Sequence, residues 1–352
     1  MALDEQKLTE FVHKALGDIG GALTAGLVVI GDKLGLYKAL AASGPSTSAD
    51  LAKRTNTAER YVREWLAAQA AAGYVNYDAA TGRYGMSEEQ IEALTNEESP
   101  AFVLGGFQGM TAALKAEAKV TEGFRTGRGV GWHEHDPALF EGTRRFFHPG
   151  YAANLVSKWI PALEGVEAKL KAGARVADVG CGLGASTMLM ARAFPKSEFI
   201  GFDYHRPSID RARELAAAAG LGGRVRFEVA AAKDFPGTGY DFITFFDCLH
   251  DMGDPVGAAS HVCKALAADG TWMVVEPFAK DRVEDNLTPV GRVFYGASTF
   301  VCTPASLSQE VGLALGAQAG EARLKDVILQ GGFRRFRRAT ETPFNLILEA
   351  RP

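Results

Sequence analysis

The run Val176-Ala177-Asp178-Val179-Gly180-Cys181-Gly182-Leu183-Gly184 constrains this chain more than any other stretch. It sets three alternate glycines between an apolar segment that reads as a strand and a segment, Ser186–Ala193, that reads as a helix. Glycines at such a junction let the backbone approach a ligand with no Cβ in the way. With Ala185 the run also satisfies the dinucleotide pattern GxGxxG/A, so the glycines alone leave the ligand open. Asp178 narrows the choice. A carboxylate there would repel the pyrophosphate that a dinucleotide places at the helix start. It favours instead the sulfonium and ammonium groups of S-adenosylmethionine. A second marker is Asp203, which closes Phe199-Ile200-Gly201-Phe202-Asp203 and is followed by Tyr204. An acid at that strand end can accept both ribose hydroxyls of an adenosine.

Around this run, apolar strands alternate with helical stretches. The strands read as Arg175–Val179, Glu198–Asp203, Val225–Val229, Tyr240–Phe246 and Thr271–Glu276, with helices at Ser186–Ala193, Ser208–Ala219 and Ala258–Ala267. That alternation predicts an α/β fold, a parallel sheet covered by helices on both faces. Phe333–Thr340 and Phe344–Ala350 read as an antiparallel pair that closes the sheet at seven strands. The arginine run Arg334, Arg335, Arg337, Arg338 lies in that pair and reads as a solvated strand.

The chain has 352 residues, enough for a second domain, and its front third has a different pattern. Apolar residues recur at helical spacing through Leu8–Leu16 and Leu23–Leu40, followed by helices over Ser46–Thr55 and Ala58–Ala72. Tyr74–Tyr77 and Arg83–Met86 then alternate around a turn, as in a small hairpin. The order helix, turn, helix, hairpin predicts a mainly helical winged helix-turn-helix. We therefore expect domains over 1–98 and 173–352, with a helical connecting segment over 99–172 that covers the active site.

Residues 173–352 resemble the class I S-adenosylmethionine-dependent methyltransferases. The resemblance rests on the glycine run, Gly201-Phe202-Asp203, Tyr240-Asp241-Phe242-Ile243, and Leu266–Thr271 before the strand ending Glu276-Pro277. It implies a Rossmann-like seven-stranded methyltransferase sheet. With the front third included, the chain is similar to two-domain methyltransferases that make O-methyl natural products, and to actinobacterial methyltransferases that carry a helix-turn-helix. In that family an acid after the third strand usually meets the adenine. This chain has Ala230-Ala231-Ala232-Lys233-Asp234 there, which leaves the contact to Ala231 or Ala232, with Phe235 near the base.

Methyl transfer asks the protein to position an acceptor and remove its proton. The best base is His250, in Asp247-Cys248-Leu249-His250-Asp251-Met252 just after the fourth strand, where ligands sit in open sheets. His250-Asp251 resembles the HDW segment of natural-product O-methyltransferases, in which the histidine is the base and an acid orients it. Here Met252 replaces the tryptophan. Asp247 faces the same crevice, as cofactor or acceptor ligand, and Glu276 is a weaker candidate. The connecting segment adds Trp132, His133, Glu134, His135, Phe146, Phe147, His148 and Tyr151, which we read as acceptor-pocket lining opposite Tyr295 and Phe300. His133-Glu134-His135 with His148 also has ligand-like spacing, but the expected site contains no metal.

The remaining expectations concern partners and place. A net charge of −4 gives no general attraction to nucleic acid. Arg54, Arg60 and Arg63 around the would-be recognition helix are countered by Glu59 and Glu64, so the front domain reads as a dimerisation scaffold. The rival is a cofactor-sensing winged-helix regulator. Transfer to sulfur, nitrogen or carbon would use the same site plan. The apolar stretch Gly20–Ile30 is too short to span a bilayer, and four cysteines without CxxC spacing read as free thiols of a cytoplasmic homodimer.

Overall fold

The computed structural model describes residues 3–352, which pack as two compact units divided between Thr111 and Ala112. Of the connecting segment expected over 99–172, the part from Ala112 onward falls in the second unit.

In the first unit, Asp4 caps α1 (Glu5–Lys33) by accepting the Lys7 N–H, and Glu5 and Lys33 match the helix dipole at its two ends. The two apolar stretches expected before residue 40 are thus one 29-residue helix and a short second one. Gly35, left-handed at φ 67°, breaks the chain before α2 (Leu36–Ser43). A capping box between Thr47 and Asp50 starts α3 (Ser48–Thr55), and α4 (Glu59–Ala71) follows. The hairpin β1 (Asn76–Asp78) and β2 (Arg83–Gly85) pairs Tyr77 with Tyr84 and leads to α5 (Glu88–Thr95). The core gathers Val28, Tyr37, Leu40, Leu51, Trp65 and Leu66. Trp65 also donates its indole N–H to the Leu27 carbonyl at 2.8 Å.

Most of α1 stays outside that core. Leu8, Phe11, Val12, Leu16, Ile19, Leu23 and Ile30 are all exposed. By length and composition alone α1 reaches what a membrane span needs, with a mean hydropathy of 1.4 over its best window. The stretch Gly20–Ile30, read as an isolated apolar run, lies inside this longer helix, because the run continues across Gly20 and Gly21, glycines that a helix tolerates at modest cost.

α6 (Leu104–Ala113) crosses the boundary between the units. The second unit continues with α7 (Glu117–Thr126), α8 (Ala138–Asn154), a π-helical turn Leu155–Trp159, α9 (Ile160–Ala162) and α10 (Val166–Ala172). Then come β3 (Arg175–Val179), α11 (Ala185–Ala193), β4 (Glu198–Asp203), α12 (Arg206–Ala218), β5 (Val225–Val229), β6 (Tyr240–Phe246), α13 (Pro255–Ala265) and β7 (Leu266–Pro277). α14 (Pro289–Ala297), α15 (Thr303–Leu307), α16 (Gly320–Gln330), β8 (Arg335–Glu341) and β9 (Asn345–Arg351) complete it.

The sheet order is β5-β4-β3-β6-β7-β9-β8, with β9 antiparallel to both its neighbours. Successive residues of each strand go to opposite faces. Val176, Phe199, Phe242, Met273 and Ile347 pack against Met190, Ile209 and Ala212 of α11 and α12. Ala177, Ile200, Ile243, Val274 and Leu348 pack against Val262 of α13 and Leu324 and Ile328 of α16. Both faces are covered over the central strands, which is why β3, β4, β6 and β9 are mostly apolar. The order reverses between β3 and β6, and there the crevice at the strands' carboxyl ends opens. On the edge pair, Arg337 meets Glu349, and Arg338 meets Glu321 and Glu341.

Candidate active site

The three loop glycines have separate tasks. All have positive φ: Gly180 72°, Gly182 53° and Gly184 78°. A Cβ on Gly180 would come within 2.6 Å of the Cys248 sulfur, and one on Gly184 within 2.5 Å of the Phe227 ring. Gly182 alone of the three faces open space, with nothing within 4 Å. Close packing therefore requires the outer two, and the middle one is the point where a ligand can meet the backbone.

Asp178 is 1% exposed and engaged inside the protein. Its Oδ2 accepts the hydroxyls of Ser186 (2.7 Å) and Thr187 (2.5 Å), and its Oδ1 accepts that of Thr244 (2.9 Å). Burial pushes its carboxyl up to about 6 despite these donors. Through these bonds Asp178 ties α11 and β6 to the glycine loop. Its spacing in the sequence shows the acid but not the three hydroxyls that occupy it.

Asp203 is oriented by two backbone amides, accepting the N–H of Gly182 at 3.0 Å and of His205 at 2.8 Å. It is only half-buried, which leaves its remaining lone pairs available to hydroxyls; burial raises its pKa. Tyr204 beside it is 46% exposed. On the next loop Ala231 and Ala232 are half-buried, and the Ala231 N–H is already given to Asp234 at 3.2 Å. Phe235 does not reach a base. It is 1% exposed and packs on Phe202, Tyr240 and His261, because its position after the loop points it into the core of that face.

Asp247 follows β6 in a left-handed conformation, φ 48°, that a non-glycine residue adopts only when its surroundings enforce it. The Tyr151 hydroxyl donates to its Oδ2 at 2.5 Å, and the Asn345 amide donates to its Oδ1 at 3.0 Å. Burial pushes the Asp247 carboxyl up to about 8, opposed by the Tyr151 bond and reinforced by the nearby Glu276 charge. Asn345 lies 98 positions away at the start of β9, and nothing local in the sequence marks it as a partner.

His250 is 3% exposed. Its Nδ1 meets Glu276 Oε2 at 2.5 Å, and the other oxygen of Glu276 accepts the Leu249 N–H at 2.9 Å. Its Nε2 lies 3.1 Å from Asp251 Oδ1. Burial disfavours the charged ring, but Asp251 and Glu276 on either side outweigh it and hold the pKa well above the ordinary histidine value. Glu276, ranked low from sequence, is the group that fixes the ring. Its strand end was visible, but its pairing with His250 needed β6 and β7 to be neighbours.

The connecting segment divides. Tyr151, Phe147 and Phe246 form a stacked aromatic group beside Asp247. Trp132 packs on Phe140, which contacts the His205 ring at 4.8 Å, and Trp132 and Phe300 border a cluster containing Phe294 and Cys302. His148 and Tyr295 are half-buried on α8 and α14. His133 is exposed while His135 is buried, so His133, Glu134 and His135 do not converge as metal ligands among the described residues. The donor set as a whole fits a cationic nucleoside. Asp203 and Asp247 gain most from a positive ligand, since desolvation strains both as carboxylates.

Residues 170–317 match the family described as methyltransferase domain, and residues 22–96 match the Rv2258c-like winged HTH domain. The chain thus joins a winged helix-turn-helix domain to a methyltransferase domain. Among curated proteins it is similar to 27-O-demethylrifamycin SV methyltransferase of Amycolatopsis mediterranei, 29% identical over 40% of this chain and 44% of that one. It spans less than half the length of the first curated relatives it matches. Among solved structures, mitomycin 7-O-methyltransferase MmcR shares the fold over 99% of this chain and 100% of that one (TM-score 0.72, 20% identity). Human N-acetylserotonin methyltransferase, solved with SAM, covers 97% of each chain (TM-score 0.72, 16% identity).

Proposed function

We propose that this chain is an S-adenosylmethionine-dependent methyltransferase that acts on a small molecule, chiefly at oxygen, with His250 as general base. The observation that carries it is the His250–Glu276 contact at the carboxyl end of β6, beside the open face of Gly182. Bound against that face, S-adenosylmethionine would supply the methyl group from its sulfonium. Asp203 holds the ribose hydroxyls, and Asp247, braced by Tyr151 and Asn345, holds the ammonium. Glu276 keeps the proton on Nδ1, so Nε2 is the nitrogen that takes the acceptor's proton. His250 starts with a strong hold on its proton, and positive charge brought to Asp247, within electrostatic reach of the ring, weakens that hold. Cofactor binding thereby frees the base. Trp132, His133, His148, Tyr151 and Tyr295 line the acceptor side. Sulfur, nitrogen or carbon acceptors remain compatible with the same plan.

The solved neighbours carried SAM or were named as O-methyltransferases, which supports this reading. The regulator alternative is weakened because Arg60 and Arg63 are committed to Glu64 and Glu59, leaving little free charge for a phosphate backbone. The exposed apolar face of α1 supports a homodimer, and four free thiols support a reducing, cytoplasmic setting. Calorimetry with S-adenosylmethionine and S-adenosylhomocysteine tests the core claim: no heat of binding would refute it. Methyl transfer across a panel of phenols and other hydroxylated acceptors, lost by about 10²–10⁴-fold in His250→Ala with cofactor binding intact, tests the base.

A further inference from the structure

Cys302 sits in a π-helical turn, Ser298–Cys302, between α14 and α15. Such turns are rare and recur at functional sites. Its sulfur, a ring nitrogen of His250 and a carboxylate oxygen of Asp251 all lie within 4.8 Å of one another. Nδ1 of His250 is already given to Glu276, so Nε2 is the donor that faces this cluster.

The arrangement is incomplete as a set of hydrogen bonds. Nε2 of His250 lies 3.1 Å from Asp251 Oδ1, close enough for an ion pair but outside hydrogen-bond geometry. That oxygen is buried with no hydrogen-bond partner. His135, 5% exposed and within electrostatic reach of Asp251, also has both ring nitrogens unsatisfied. Buried polar atoms left open in this way are uncommon.

We propose that His250, Asp251 and Cys302 form a binding site for a thiophilic divalent cation, with zinc as the fitting ion. A tetrahedral zinc site has ligand-to-ligand edges of about 3.3–3.8 Å, from its bond lengths to nitrogen and sulfur. The 4.8 Å cluster therefore closes by small side-chain rotations. On binding, the Cys302 thiol and the His250 Nε2–H each give a proton to solvent, while Nδ1 keeps its proton toward Glu276. Thiolate and carboxylate then offset both charges of the ion, so the ion with its three ligands is neutral. Glu276 on Nδ1 supplies the outer carboxylate that commonly orients a ligating histidine. Thiolate with imidazole favours zinc over magnesium or calcium. Asp251, with a quarter of its side chain exposed, gives the entry path. Because the ion takes the Nε2 lone pair, a loaded site cannot also accept a proton there, and zinc inhibits the activity proposed above.

The test is a titration of the thiol-reduced, chelator-treated full chain with cobalt(II), which needs neither cofactor nor acceptor. A thiolate-to-cobalt absorption that saturates at one equivalent, is displaced by zinc, and is lost in Cys302→Ser but kept in Cys263→Ser is expected. No such absorption, or one that persists in Cys302→Ser, overturns the proposal. Should Cys302→Ser fail to fold by circular dichroism, Asp251→Asn serves instead: cobalt affinity should fall at least about tenfold, and unchanged affinity overturns it. Failure here leaves the methyltransferase reading standing, since that is tested by cofactor calorimetry.

Discussion

Replacing Glu276 by glutamine tests the electrostatics of the site most directly. The change keeps the side chain's volume and one acceptor oxygen while removing a charge that is 1% exposed and contacts the His250 ring at 2.5 Å. Two unit charges about 4 Å apart in surroundings of effective dielectric about 20 interact by about 4 kcal/mol. At about 1.4 kcal/mol per pH unit this is roughly 3 units, an upper bound because Asp251 remains and the site relaxes. We expect the His250 titration, followed through its ring carbon–proton NMR signals, to move down by at least about one unit. The sign extends to stability. A histidine whose folded pKa is raised above its ordinary 6.5 contributes stability fully below that pH, and the contribution is lost as pH rises through the folded value. Glu276→Gln should therefore cost more in urea unfolding at about pH 6 than at about pH 10. An unmoved or raised titration midpoint, or an equal stability loss at both pH values, would refute this account of the pair.

Other outcomes follow from the same structure. Gly184→Ala must place a Cβ 2.5 Å from Phe227 at φ 78°, and should lose about 2–5 kcal/mol in denaturant unfolding. Gly182→Ala has room and should lose only about 1–2 kcal/mol, while its cofactor affinity falls; equal losses in the two variants would contradict the division of tasks. Asp247 has a folded pKa of about 8 against an ordinary 3.8, so the native state holds a proton that the unfolded chain releases, and stability falls as pH rises between those values. Asp247→Asn should thus compare better with wild type at about pH 8 than at about pH 5 in thermal unfolding, and bind cofactor at least about tenfold more weakly. A Tm difference independent of pH would count against it. Leu16→Glu with Leu23→Glu on the exposed face of α1 should halve the mass seen by light scattering; an unchanged mass would remove α1 from the interface.

Much of this was legible before any coordinates. Five strands show as apolar or alternating runs bounded by turn residues, so their limits showed in the pattern, four of them to the residue and the fifth to its core. The glycine run, Asp203 and His250 were legible because each sits at a strand end, where local order fixes position. α1 was harder, since glycines at 17, 20, 21 and 26 hid a single helix behind what reads as two.

What the sequence by itself determined was the alternation of strand and helix, the hairpin domain before it, and which chemical groups stand at the strand ends. Tertiary structure alone decided what those groups touch. Asp178 is met by Thr244, which arrives from β6. Asp247 gained Asn345 from β9, and His250 was set between Glu276 and Asp251 with Cys302 as a third neighbour. The physical reason is range: periodicity and capping act over a few residues, whereas these contacts join segments tens of positions apart that meet only when β6, β7 and β9 pair in the sheet.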